Sequence, residues 1–195
     1  MPRSAASRPR WDRLYAAAAA QEGCFTSSQA AESGYSPQLL AHYLGIGRIA
    51  RVYRGIYRLV QFPPGEHEDL LAIWLWSDRK GVFSHETALA LHDLSDVLSS
   101  KIHLTLPAAW ETRRLRFPPG VVAHYAGVPA SERSWAGSLP LTSPSRTVRD
   151  CAQDQVQPDL VHQALEEGLS RGLFPVEGVP DALAYVRAFG LQGAA

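Results

Sequence analysis

A chain of 195 residues, 46% apolar and 19% charged, has the make-up of an ordinary folded protein, which excludes a disordered one. No apolar run approaches the roughly 20 residues of a membrane-spanning helix, and the Ala16–Ala20 pentad, followed by Gln21 and Glu22, is too short for a signal-peptide core. The net charge is zero. Cut after Gly65, however, the chain divides into eight arginines against three acids, then eleven bases against sixteen acids. The halves therefore carry +5 and −5, an asymmetry that points to a nucleic-acid-binding segment at the N-terminal end.

Residues 1–10 hold Arg3, Arg8 and Arg10 among Ser, Ala and Pro, and read as a disordered basic tail. A first helix is expected from Trp11 to Gln21, ending at Gly23. Thr26 or Ser27 caps a second, Ser28 to Glu32, closed by Gly34. Ser36 before Pro37 is a strong start for a third, which carries Leu39, Leu40, Tyr43 and Leu44 and stops at Gly45. From Arg48 to Leu59, β-branched and aromatic residues around a Gly55 turn spell a hairpin. Phe62-Pro63-Pro64-Gly65 then breaks the chain, so domains are expected at 11–62 and 66–195.

Beyond the break, helices are expected over 67–77, 84–94, 143–153, 158–171 and 179–189, with strands at 102–106 and 121–125. The fold class is α+β, a winged helix-turn-helix followed by a mixed α/β domain. Cys24 and Cys151 stand far apart and outside any CxxC spacing, so both are expected as reduced thiols packed like small apolar groups in a cytoplasmic protein.

Three helices and a two-stranded ribbon follow the order of a winged helix-turn-helix, and the third helix is of a size to enter a major groove. With its leucines and Tyr43 inward, Gln38, Ala41 and His42 project outward, the first and last four apart on one face. Gln bonds adenine in a bidentate manner, His donates to guanine or phosphate, and Ala touches a thymine methyl. Ser27, Gln29 and Ser36 sit at helix starts, where hydroxyls and backbone amides hold phosphate. Arg48, Arg51, Arg54 and Arg58 give the ribbon four positive charges for phosphate or the minor groove. The competing use of such a domain is protein contact. One decoy falls: Gly45-Ile46-Gly47-Arg48-Ile49-Ala50 fits a dinucleotide fingerprint, but it follows a helix and leads into a strand, the reverse of what pyrophosphate binding needs.

Several stretches resemble the AbiEi antitoxin family of type IV toxin–antitoxin systems: Gly23 to Ala30, Gly47 to Leu59, Ser84 to Asp96, Ile102 to Pro107 and Leu139 to Thr147. The resemblance implies a winged-helix repressor of its own operon that binds inverted repeats in double-stranded promoter DNA. It further implies a C-terminal antitoxin domain that counters an AbiEii-like nucleotidyltransferase toxin without a stable complex. A regulator lacking a cognate toxin would share these sequences. The nuclease-like extension that some relatives carry is not expected in this chain.

An enzyme is not expected, nor a cofactor. His85 and His92 lie seven apart with Glu86, Asp93 and Asp96 nearby, but a metal wants three or four converging ligands and HExxH is absent, so no metal site is expected. Ser143 and Ser145 sit outside any nucleophile elbow, and Arg146 with Asp150 reads as an i,i+4 pair, the alternative being that Arg146 and Arg149 face nucleic acid or the toxin. Arg113, Arg114 and Arg116 read as a solvated loop or accessory phosphate contact. The protein is expected to be a monomer or weak dimer, away from membranes.

Overall fold

The computed structural model describes residues 8–191, so most of the basic tail lies outside the described residues. The chain forms two compact units, divided between Arg79 and Lys80.

The first unit contains α1 (Trp11–Ala19), β1 (Cys24–Thr26), α2 (Ser27–Glu32), α3 (Pro37–Gly45), β2 (Ile49–Tyr53), β3 (Ile56–Leu59) and α4 (Glu68–Trp76). The alanines of α1 favour helix at little entropic cost, and its inward stripe is Leu14 and Ala18, four apart and buried. Gly23 ends that connection at φ +88°, where a Cβ would sit 2.4 Å from the Cβ of Phe62. Only glycine fits there. The three strands form an antiparallel sheet in the order β1-β3-β2. Strand β1 escaped the sequence reading because three residues are too few to display an alternating pattern.

Alternation along β3 sends Tyr57 and Leu59 into the helical core with Leu14, Phe25, Ala30, Tyr35, Leu40 and Ile49. Leu14, Phe25 and Leu59 are almost fully buried, each worth about 1.5–3 kcal/mol of transfer free energy. Arg58, on the opposite face of β3, meets Glu68 of α4. Helix α4 packs against the strands and buries Leu70, Leu71, Ala72, Ile73 and Leu75. The expected boundary at residues 62–66 is therefore displaced: the Pro-Pro-Gly break is a turn inside the first unit, which runs through Arg79.

The second unit contains β4 (Val82–Phe83), α5 (His85–Leu91), β5 (Ile102–Leu106), β6 (Val121–Tyr125), β7 (Arg133–Ala136), β8 (Leu139–Thr142), α6 (Pro144–Gln153), α7 (Pro158–Ser170) and α8 (Pro180–Ala188). Its sheet runs β6-β5-β4-β8-β7, with β5/β6 and β4/β8 parallel and the other pairs antiparallel. Leu89, Val148, Cys151, Val161, Leu165, Phe174 and Val186 form the centre of a helical core. The amphipathic α6 begins at Ser143, whose hydroxyl accepts the Arg146 N–H, with Pro144 in the first turn. No helix is long and apolar enough to cross a membrane among the described residues.

Candidate nucleic-acid interface

The α2–α3 corner is built from caps. Thr26 Oγ1 accepts the Gln29 N–H at 3.1 Å while Gln29 Oε1 accepts the Thr26 N–H at 2.8 Å, a reciprocal capping box. The Gln29 amide also exchanges two hydrogen bonds with the buried Gln21 amide, at 3.1 and 3.2 Å. Gln21 in turn donates to the Ala17 and Cys24 carbonyls. This corrects one expectation: Gln29 belongs to the framework, because its amide is consumed in holding α2 to α1 and β1. The backbone N–H of Ser27 is likewise taken, by Gly55 O at 2.8 Å, although its side chain is exposed.

That Ser27–Gly55 bond fixes the tip of the ribbon to the start of α2. The ribbon closes through Arg54-Gly55, with Gly55 at φ +79°, a left-handed value that suits glycine at a tight turn. A register shift between Arg51 and Tyr53 bulges β2 next to the tip.

Helix α3 starts as expected, with Leu39 N–H donating to Ser36 Oγ at 3.2 Å and Pro37 in the first turn. Leu40 is buried, Leu39, Tyr43 and Leu44 pack against the core, and Gln38, Ala41 and His42 are exposed. His42 lies edge-on to Tyr43, ring centroids 5.8 Å apart. The helix thus presents a polar face without acids to solvent.

The four ribbon arginines divide. Arg48, Arg51 and Arg54 are exposed and meet no carboxylate among the described residues. Arg48 lies over the Tyr43 ring and Arg51 over the Tyr57 ring, each 5.8 Å from the centroid, so both are steadied by core aromatics. Arg51 pairs across with Tyr57 and so shares the helical face of the sheet. Arg58 does not join them. It pairs with Glu68 and donates to the Phe62 carbonyl, a largely buried ion pair that removes it from any interface. Nothing local in the sequence signals this pairing, because Glu68 lies past the Pro-Pro-Gly break.

In the second unit the acids dispose of the other arginines. Arg146 pairs with Asp150 at 2.6 Å, as its spacing predicts, and also with Glu132. Arg149 reaches Glu132 at 2.7 Å. Hydrogen bonds from Arg149, then Arg146, hold the Glu132 carboxyl below its usual range against a desolvation penalty. Burial dominates at Asp150 and raises it. These arginines are structural, not free for nucleic acid. In the loop, Arg113 lies 4.5 Å from the Trp110 ring centroid, and Arg114 and Arg116 are exposed. Burial pushes the Cys24 thiol up to about 11 and Cys151 well above its ordinary value, so both are inert apolar fillers at neutral pH.

His92 hydrogen-bonds the Thr142 carbonyl at 2.8 Å and has no part in the pairing of His85 considered from sequence. The groups that meet His85 are His103 on β5 and His124 on β6. Sequence reasoning passed over both, since ligands or relays drawn from separate strands leave no local spacing. Their proximity comes from the parallel pairing of β5 with β6, which places Thr105 opposite His124 and His103 two residues before Thr105.

Comparison with known proteins bears on the fold and on the first unit. The chain is similar to the crystal structure of the RV2827C protein from Mycobacterium tuberculosis, with a TM-score of 0.52, 18% identity, and coverage of 92% of this chain and 76% of that one. At that identity the likeness speaks for the fold alone. None of the curated proteins matches significantly. Residues 12–60, the three helices and the ribbon, match the family described as "Transcriptional regulator, AbiEi antitoxin". The likeness to that family thus lies in the segment from Asp12 to Val60, within the first unit.

Proposed function

We propose that the first unit binds double-stranded DNA at inverted repeats in its own promoter, acting in the cytoplasm as an autorepressor. In this reading α3 enters the major groove and reads bases through Gln38, Ala41 and His42. Ser36 and the side chain of Ser27 contact phosphates, with Arg48, Arg51 and Arg54 neutralising the backbone and Arg54 reaching the minor groove from the ribbon tip. The observation that carries the reading is the division of charge: three ribbon arginines stay exposed beside a helix face without acids. The chain as a whole acts as the antitoxin of a type IV system and counters an AbiEii-like nucleotidyltransferase toxin, without a stable complex. It is a monomer or weak dimer in solution, two copies sharing one palindrome.

A gel shift on duplex DNA from the protein's own upstream region tests the DNA-binding claim. Retardation is expected to fall steeply with salt. The Arg51→Ala/Arg54→Ala protein should bind every sequence more weakly, with a salt slope smaller by about 2, since each phosphate contact contributes about 0.9. Gln38→Ala should instead relax preference at one base position, by about 1–3 kcal/mol. No shift at low salt, or an unchanged slope in the double variant, overturns the reading.

A further inference from the structure

The second unit brings three imidazoles together on one side of its sheet: His85 at the start of α5, His103 on β5 and His124 on β6. One nitrogen from each lies within 4.8 Å of the other two. His103 Nδ1 and His124 Nε2 face each other at 3.0 Å. The opposite nitrogen of each ring is held by a carboxylate. His103 Nε2 meets Glu86 at 2.9 Å, and His124 Nδ1 meets Asp154 at 3.1 Å. His85 Nδ1 lies 2.9 Å from a hydroxyl, Ser84 Oγ, itself the acceptor of the Thr105 hydroxyl at 2.8 Å. The nitrogen left to His85 is Nε2, 3.2 Å from Asp154.

Proton accounting shows what this arrangement demands. A carboxylate accepts and cannot donate, so Glu86 and Asp154 each draw the N–H of a neutral imidazole towards themselves. Both N–H groups then point outward, and the lone pairs of His103 Nδ1 and His124 Nε2 confront each other at 3.0 Å. Two facing lone pairs at that distance repel unless a cation lies between them or against them. A proton or a metal ion would serve. Neutral imidazoles whose far nitrogens are anchored by carboxylates or hydroxyls are the usual surroundings of a bound transition metal.

We propose that His85, His103 and His124 bind one divalent transition-metal ion of the zinc class, with Glu86 and Ser84 orienting their rings from outside and Asp154, which meets both His124 Nδ1 and His85 Nε2, standing at the edge of the site. An all-imidazole set suits zinc, copper, nickel or iron and disfavours magnesium and calcium. The cluster is reached from a polar cavity of about 290 Å³ lined by His85, His124, Asp154, Arg146 and Asp150, so the ion would be open to a small ligand and not sealed inside the core. This inference concerns the second unit alone and does not depend on DNA binding by the first.

The test uses full-length, tag-free protein stripped with a chelator and titrated with Co²⁺, followed by Zn²⁺. One equivalent of Co²⁺ should bind and produce visible ligand-field absorption that Zn²⁺ then abolishes. His124→Ala should lose stoichiometric uptake, and His92→Gln, outside the cluster, should keep it. Asp154→Asn and Glu86→Gln should each weaken binding about 10–100-fold, the range for partners that orient a ligand. Asp154 is half-exposed, so its variant decides the matter if His124→Ala fails to fold. A wild-type protein that takes up neither ion, or uptake that survives both His124→Ala and Asp154→Asn unchanged, overturns the proposal; the former result would leave a shared proton as the cation between His103 and His124.

Discussion

The two units treat the same side chain in opposite ways. In the first, Arg48, Arg51 and Arg54 are left in solvent, two of them resting on aromatic rings. In the second, Arg146 and Arg149 are held by Glu132 and Asp150 inside a partly buried network. A guanidinium available to a polyanion and one committed to the fold are indistinguishable by counting charges. What separates them is whether a carboxylate lies within reach, and reach is a matter of tertiary placement. Arg58 makes the point within a single ribbon, because a helix that follows a proline-rich turn supplies Glu68.

The largest effect that would sharpen this contrast is expected in the second unit. Glu132→Ala strips two guanidiniums of a shared partner in a poorly solvated setting and should lower unfolding free energy by about 3 kcal/mol, read by urea denaturation, with duplex affinity unchanged. Arg58→Met should cost about 1–2 kcal/mol, since Glu68 would be left largely buried without its cation, again with no loss of DNA affinity. Equal weakening of binding by Arg58→Met and by Arg54→Ala would break the comparison. Ser36→Ala removes the cap of α3 and should cost about 1 kcal/mol of stability, with a fall in duplex affinity that Arg58→Met lacks.

The smallest effect concerns acid. Burial depresses the His92 pKa below 6.5, against the opposing pull of its bond to the Thr142 carbonyl. Below pH 6.5 the unfolded chain therefore binds the proton more readily than the folded one. The stability contributed by neutral His92 is complete above pH 6.5 and drains as pH falls below it, by at most about 1.4 kcal/mol per pH unit. His92→Gln should flatten that part of the pH–stability curve, measured by thermal melts between neutral and mildly acidic pH.

Much of the first unit was legible because its signals are local. Ser36-Pro37, the Gly55 turn and the i, i+3, i+4 placement of Leu40, Tyr43 and Leu44 each announce an element by themselves. The elements that escaped, β1, β4, β7 and β8, are two to four residues long and exist only through pairing. The candidate DNA surface was legible in outline, yet Gln29 and Arg58 were misassigned to it because their partners, Gln21 and Glu68, could not be seen. The histidine cluster was invisible for the same reason: one helix and two strands contribute one imidazole each, and nothing in their spacing of 18 and 21 residues suggests contact.

The Arg58–Glu68 clasp bears on how the gene should be cut. A fragment ending at the Pro63-Pro64-Gly65 turn looks natural on paper, but it would discard α4, strand the Arg58 guanidinium against bare sheet and uncover the flank of the strands that α4 roofs. A fragment carried on to Arg79 keeps the roof and should be the shortest piece that preserves the proposed duplex-binding surface.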